Sequence, residues 1–329
     1  MISFENAKKI VFDSVHIRTA EKVDFMDGMG RILAENIFSD QNIPPFDKSA
    51  MDGYACKKAD LDNILEVVEN ISAGDKPRMK INKNQCSKIM TGSVIPEGAD
   101  IVVMVENTEK VDQNHIKCFG NNSKYNICVL GEDCKTGDIV LKSGTLLEPR
   151  HIGVLATVGA TSPLVYKKPS IGVFVTGSEL VEPNMIPEYS HIRNSNAYTI
   201  LAMLKDNFFE ASYFGIVPDK KEMLKEKIIE NIENNDVLIM SGAVSMGDYD
   251  FIPDILKEIG ADILFHGMYV KPGKRMLFAT YSDKYIFGLP GNPVSTYIQM
   301  QELVIPFLLK SCGLKSKENY LFVNSRKMK

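Results

Sequence analysis

From residue 169 to about 313 the chain alternates strand-length apolar runs with stretches of helical spacing, and nothing else restricts its fold as strongly. The runs fall at 171–175, 212–216, 237–240, 263–265, 276–280 and 285–287; the helical stretches fall at 195–205, 220–234, 251–259 and 294–309. Such alternation predicts a doubly wound, mostly parallel sheet with helices on both faces. The texture differs upstream. Between Pro44 and about Leu141, short runs at 65–68, 101–105, 115–119 and 127–130 are punctuated by Gly, Pro and Asn. Helical periodicity is nearly absent there, which predicts a small inserted β domain. Helices are expected at 4–16, with Ser3 as N-cap, and at 149–158, where Pro149 opens the segment and Gly159 follows it. The fold class is therefore α/β plus β, multidomain. An elongated helix/strand linker domain covers 1–40 and 142–168, the inserted β domain 41–141, the α/β domain 169–313 and a short tail 314–329.

Length and charge narrow the function. A chain of 329 residues exceeds one average domain. Its net charge of −4 argues against a broad basic surface for nucleic acid. No apolar run approaches the ~20 residues of a membrane helix. The six cysteines form no C-x-x-C pair and the five histidines show no ligand spacing. Reduced, mostly buried thiols in a cytoplasmic protein are expected, and no signal peptide precedes Phe4.

In a doubly wound sheet, ligands bind beyond the carboxyl ends of the strands. Four loops there stand out: Thr176-Gly177-Ser178-Glu179, Val217-Pro218-Asp219, the run from Ser241 and Gly242 through Ser245 and Gly247 to Asp250, and Gly288-Leu289-Pro290-Gly291-Asn292-Pro293. Parallel strands would set all four along one edge. Glycines let backbone N–H groups approach a phosphate, and helix starts near Ser195 and Val294 add favourable dipoles. Glu179, Asp219 and Asp250 are candidate ligands for Mg²⁺, which takes one or two carboxylates plus substrate oxygens. Lys271-Pro272-Gly273-Lys274-Arg275 supplies positive charge for a phosphate or a tetrahedral oxyanion. In the inserted half, residues 44–55 (PPFDKSAMDGYA) and 90–109 (MTGSVIPEGADIVVMVENTE) are loops rich in hydroxyls and carboxylates. Each loop alone has a bland reading: Glu179 and Asp219 as helix caps, the KPGK run as a solvated turn.

These strings, together with GEDCKTGD (131–138), VTGSEL (175–180), IRNSNAYTILAML (192–204), SGAVSMGDYDF (241–251), VKPGKR (270–275) and GLPGNPVS (288–295), resemble the molybdopterin molybdenumtransferase family, the MoeA and gephyrin E-domain proteins. The match runs over nearly the whole chain, in the family's order. It implies that adenylylated molybdopterin and molybdate give molybdenum cofactor and AMP with the help of Mg²⁺. It also implies a homodimer whose cleft joins the α/β domain of one subunit to the β domain of the other. A molybdopterin adenylyltransferase and molybdoenzyme apoproteins are the implied handover partners. By motif, Asp52, Thr91 and Asp133 act from the β side. Glu179, Asp219, Asp250, Lys271, Lys274, Pro290 and Pro293 act from the α/β side. Ser241, Gly242, Ser245, Gly247, Pro290, Gly291, Asn292 and Pro293 hold the pterin or nucleotide. The sequence departs from the family at Ala243 (usually glycine), Ser178 (usually aspartate) and Arg275 (commonly proline), and the family's further C-terminal β domain is expected to be absent. Two rival readings are a nucleotide- or pterin-acting enzyme of the same α/β superfamily and a non-catalytic pterin-binding or scaffold paralogue.

Overall fold

A computed structural model describes residues 1–120, 124–242 and 251–315, and its contacts separate two units. Of the described residues, the first takes 1–35, 142–156 and those between 160 and 315; the second takes those between 36 and 141 with 157–159.

The first unit is built on a six-stranded sheet of β1 (Ile171–Thr176), β2 (Ser212–Val217), β3 (Val237–Ser241), β4 (Asp262–His266), β5 (Leu277–Tyr281) and β6 (Lys284–Leu289), in spatial order β2-β1-β3-β6-β5-β4. Strands β2, β1, β3 and β6 are parallel neighbours. Strand β5 runs against both β6 and β4. Two reversals restore direction, so β4 points the same way as the parallel four.

Successive side chains in a strand face opposite sides, and here both sides are buried. Val173, Ile239 and Phe287 enter one apolar cluster, while Phe174, Leu238, Met240 and Ile286 enter the other. The first cluster is closed by α1 (Phe4–Asp13), by α3 (Asn196–Asp206) and by the C-terminal helices; α2 (Pro149–Thr157) lies between α1 and α3 in the chain. The second is closed by α4 (Lys221–Asn234) and α5 (Ile252–Glu258). Helix α1 starts where expected, because the Ser3 hydroxyl accepts from the Asn6 N–H at 3.1 Å.

Two expectations change. Residues 294–309 form not one helix but α6 (Pro293–Gln299), a π turn (Met300–Val304) and α7 (Ile305–Ser311). Pro306 lacks the N–H that a continuous α-helix would need at that position. The linker segments also do not stand apart: residues 1–35 and 142–156 group with the α/β sheet. Ala7, Val11 and Ile32 bury into the same cluster as Phe278 and Phe307.

The second unit carries its own six-stranded sheet, ordered Ile101–Met104, Gly53–Cys56, Gln85–Ile89, Ile64–Ile71, His115–Cys118 and Thr108–Lys110. Its neighbours are antiparallel except for the parallel central pair Ile64–Ile71 and Gln85–Ile89. Tyr54, Cys56, Leu65, Cys86, Ile101, Val103 and Ile116 form its main core. The expected strand at 127–130 shortens to Ile127–Cys128, since the Leu130 N–H donates to the Asp47 carboxylate at 2.7 Å instead of to a strand.

Candidate functional site

The chain moves from β1 to β2 on one side and to β3 on the other, so the strand order reverses between β1 and β3. That reversal opens a crevice at the carboxyl ends, where α/β sheets take their ligands. The loops after β1, β2, β3 and β6 share this edge. Because β4 points the same way, the Lys271–Lys274 turn that follows it opens there too. The described parts of all five loops therefore lie on one side of the sheet.

Side chains lock these loops together. The Thr176 hydroxyl donates to the Asp219 carboxylate, and the Ser178 N–H donates to its second oxygen at 3.3 Å. Asp219 is thus not a cap for α4, whose N-cap is Lys220 with no side-chain bond. The Glu179 carboxylate folds back over its own turn, where a Cβ on Gly177 would lie 2.9 Å from it. The loops after β3 and β6 meet at Ser241, whose hydroxyl donates to the Pro290 carbonyl at 2.9 Å. Asn196, at the start of α3, donates to both the Ser241 hydroxyl and the Gly291 carbonyl at 2.9 Å. Gly242 sits at φ +111°, and a Cβ there would lie 2.1 Å from the Thr176 carbonyl oxygen. Only glycine allows so close an approach of the two strand ends.

Asn292 has a structural task, for its side chain accepts from the Ser295 N–H at 3.1 Å and caps α6. The KPGK turn is not simply solvated: the Gln299 amide donates to the carbonyls of Gly273 at 2.6 Å and Arg275 at 3.2 Å. Lys271 and Lys274 are exposed, as are Gly291 and Pro293, whereas Pro290 is buried. Ser245, Gly247 and Asp250, like Ala243, lie outside the described residues. Among the described residues no three His, Cys, Asp or Glu side chains cluster as a complete metal cage.

Some contributors went unassigned in the sequence. Asn196 belongs to a string noted there, yet an Asn at a helix start reads as a cap. A recess of about 750 Å³ between β1 and α3 is lined by Glu182, Pro183, Asn184, Arg193, Asn194, Ser195 and Tyr198. Its wall is fixed by Glu182, which accepts from the Tyr198 hydroxyl at 2.8 Å and the Tyr213 hydroxyl at 2.7 Å. Burial, and then the Glu182 carboxylate, push the Tyr213 phenol well above its usual pKa. No motif signalled this network, because Tyr213 lies 31 residues from Glu182.

In the β unit, the exposed Asp52 carboxylate accepts from both the N–H of Thr91, at 2.7 Å, and its hydroxyl, at 2.8 Å. These bonds hold the Asp52 carboxyl below the usual carboxylate range. Strings 44–55 and 90–95 lie side by side: the Ser49 N–H donates to the Ser93 carbonyl and the Gly92 N–H to the Ser49 carbonyl. Asp133 is exposed on a neighbouring turn, its N–H donating to the Ile43 carbonyl at 3.0 Å. The structure brings Asp52 and Thr91 into contact; Asp133 touches the same loop through its backbone alone.

The α/β unit is thus a domain of the doubly wound class whose carboxyl edge gathers glycine turns, carboxylates and lysines. Residues 2–159 match the model of the "MoeA N-terminal region (domain I and II)", and residues 172–310 that of a "Probable molybdopterin binding domain". The molybdopterin molybdenumtransferase of Staphylococcus aureus (strain COL) is 36% identical over 87% of this chain and 70% of its own length. That of Staphylococcus epidermidis (strain ATCC 12228) is 36% identical over 95% and 76%. The crystal structure of the molybdopterin biosynthesis protein MoeA from Pyrococcus horikoshii OT3 superposes with a TM-score of 0.77 at 29% identity, covering 96% of this chain and 80% of that one. The chain belongs to the molybdopterin molybdenumtransferase family, enzymes of molybdenum cofactor biosynthesis.

Proposed function

We propose that this chain inserts molybdate into adenylylated molybdopterin, giving molybdenum cofactor and AMP, as a Mg²⁺-assisted homodimer of the cytoplasm. The observation that carries this reading is the shared carboxyl edge: Asp219, Glu179, the glycine loops at Gly242 and Gly291 and the Lys271–Lys274 turn all lie at one end of the sheet. A nucleotide-linked, phosphorylated pterin and a tetrahedral oxyanion both need preorganised positive charge and backbone donors.

Lys271 and Lys274 hold the oxyanion or the phosphate as point charges. The backbone at Gly242 and Gly291, with Ser241 and Pro290 behind it, seats the pterin or nucleotide. The donor set fits Mg²⁺ in kind, since Asp219 and Glu179 supply carboxylate oxygens beside Gly177 while substrate oxygens complete the shell. Glu179, Asp219 and Asp250 would hold the ion, which when bound neutralises charge on phosphate and oxyanion. Asp219 is held in place by Thr176 and Ser178 before any ligand arrives. Asp52, Thr91 and Asp133 are assigned to the same reaction from the β unit on the strength of their strings. A molybdopterin adenylyltransferase upstream and molybdoenzyme apoproteins downstream are the proposed partners.

The test supplies purified chain with adenylylated molybdopterin, with and without molybdate and Mg²⁺, and follows AMP together with cofactor able to activate an apo-molybdoenzyme. AMP release that requires molybdate, and that drops at least ~100-fold in Asp219→Ala, is expected. AMP release indifferent to molybdate would assign the site to a nucleotide hydrolase instead.

A further inference from the structure

We propose that Gln299 is the positioning residue for Lys271 and Lys274. It holds the lysine turn against α6, and through that helix in register with the loop at 290–293. The inference rests on the role given above to the two lysines.

Neither lysine makes an ion pair or side-chain hydrogen bond among the described residues, and both are exposed. Their placement therefore depends on the backbone of the turn. Gly273 lies between them at φ +101°, packed so closely that a Cβ would be 3.1 Å from the Gln299 amide nitrogen. That nitrogen donates to the Gly273 carbonyl at 2.6 Å and the Arg275 carbonyl at 3.2 Å, so one side chain fixes both halves of the turn. The amide orientation is settled by chemistry: reversed, its oxygen would face two carbonyl oxygens. Gln299 is 1% exposed, so water does not replace the bonds if they are lost.

The other end of α6 is tied equally firmly. It starts at Pro293, with Asn292 as its cap, and the Thr296 hydroxyl donates to the Pro290 carbonyl at 2.5 Å. Less than one helical turn separates Thr296 from Gln299. A single rigid segment thus grips the loop assigned to the pterin or nucleotide at one end and the oxyanion lysines at the other. The π turn at Met300–Val304 begins at the next residue, and such turns often mark functional positions.

The experiment measures molybdate-dependent AMP release by the full chain carrying Gln299→Met, which keeps the length and removes the donor, and Gln299→Glu, which keeps the shape and inverts the charge pattern. In both, half-saturating molybdate should rise about tenfold while the rate at saturation stays within about threefold. In a Lys271→Ala/Lys274→Ala background, Gln299→Met should add less than about twofold, because its effect runs through those lysines. Folded Gln299 variants with unchanged molybdate dependence, alongside lysine variants that raise it, would overturn the positioning role and leave the proposed function standing. An effect that adds fully to lysine removal would also overturn it. Lysine variants with unchanged molybdate dependence would instead remove the oxyanion assignment on which the inference depends.

Discussion

Gly242→Ala offers the sharpest test of the carboxyl edge. At φ +111° an alanine is strained by roughly 1–3 kcal/mol. The larger problem is steric. Its Cβ would lie 2.1 Å from the Thr176 carbonyl oxygen, against roughly 3.2 Å for ordinary contact, so the ends of β1 and β3 must part by about 1 Å. That displacement loosens the bonds from Ser241 to the Pro290 carbonyl and from Asn196 to Ser241, each contributing ~1 kcal/mol. The total cost is about 3–5 kcal/mol, which for a domain of this size lowers Tm by about 6–20 °C. Activity should fall further than stability, by ~100-fold, because a 1 Å shift in reacting groups costs that much. Gly260→Ala is the control: φ there is +81°, with no atom within 4 Å of the new Cβ, so it carries backbone strain without overlap. Thermal unfolding of both variants, with AMP release measured on the folded fraction, decides the matter. If Gly242→Ala costs no more than Gly260→Ala, the close approach of the two strand ends is not what builds the site.

Thr91→Val removes the hydroxyl bond to Asp52 but keeps the backbone N–H bond, so an NMR titration should show the Asp52 pKa rising only part of the way toward its ordinary value. The folded-state pKa is depressed, so the stability it contributes is present above the unfolded pKa. That contribution is lost as pH falls through the folded pKa, and Thr91→Val should weaken this acid sensitivity. Burial pushes the Cys86 thiol up to about 12 and the Cys56 thiol higher still, so neither should react with a maleimide at pH 8 under native conditions. Early labelling of either one by mass spectrometry would contradict the β-unit core. Ser3→Ala removes the acceptor for the Asn6 N–H and should cost ~1 kcal/mol, seen as a small drop in Tm without change in molybdate dependence.

What was legible in the sequence follows from what periodicity encodes. Strands β1, β3 and β6 and helices α3 and α4 stood out because each carries an unbroken apolar pattern, and their order alone placed the glycine loops on one edge. The break after Gln299 was hidden, since an apolar run through Pro306 reads as a continuing helix until the lost N–H is considered. By its spacing Asp219 is equally suited to capping α4, and only the folded loop turns its carboxylate to Thr176 and Ser178. The Glu182–Tyr198–Tyr213 wall had no local signature whatever. Its parts come from separate elements, and nothing in the spacing of a Glu and two tyrosines announces that they share hydrogen bonds.

The reversed strand explains how lysines so far along the chain join loops that begin near Thr176. A parallel β4 reached by a simple crossover from β3 would have lain directly beside it, in the place β6 occupies. Instead α5 carries the chain past two strand positions to the sheet's outer edge, and β5 and β6 return as a hairpin that fills the gap. This route puts two strands between β3 and β4, which leaves the β4 carboxyl end three strand spacings from the β3 loop, too distant for a direct contact between the strands themselves. Something must bridge that span if the lysines are to serve a ligand seated at Gly242. Helix α6 does so, running from the end of β6 back beneath the lysine turn, with Thr296 bonded at one side and Gln299 at the other. The distance that topology introduces is closed by a helix too short to be stable alone, held by the loops it joins.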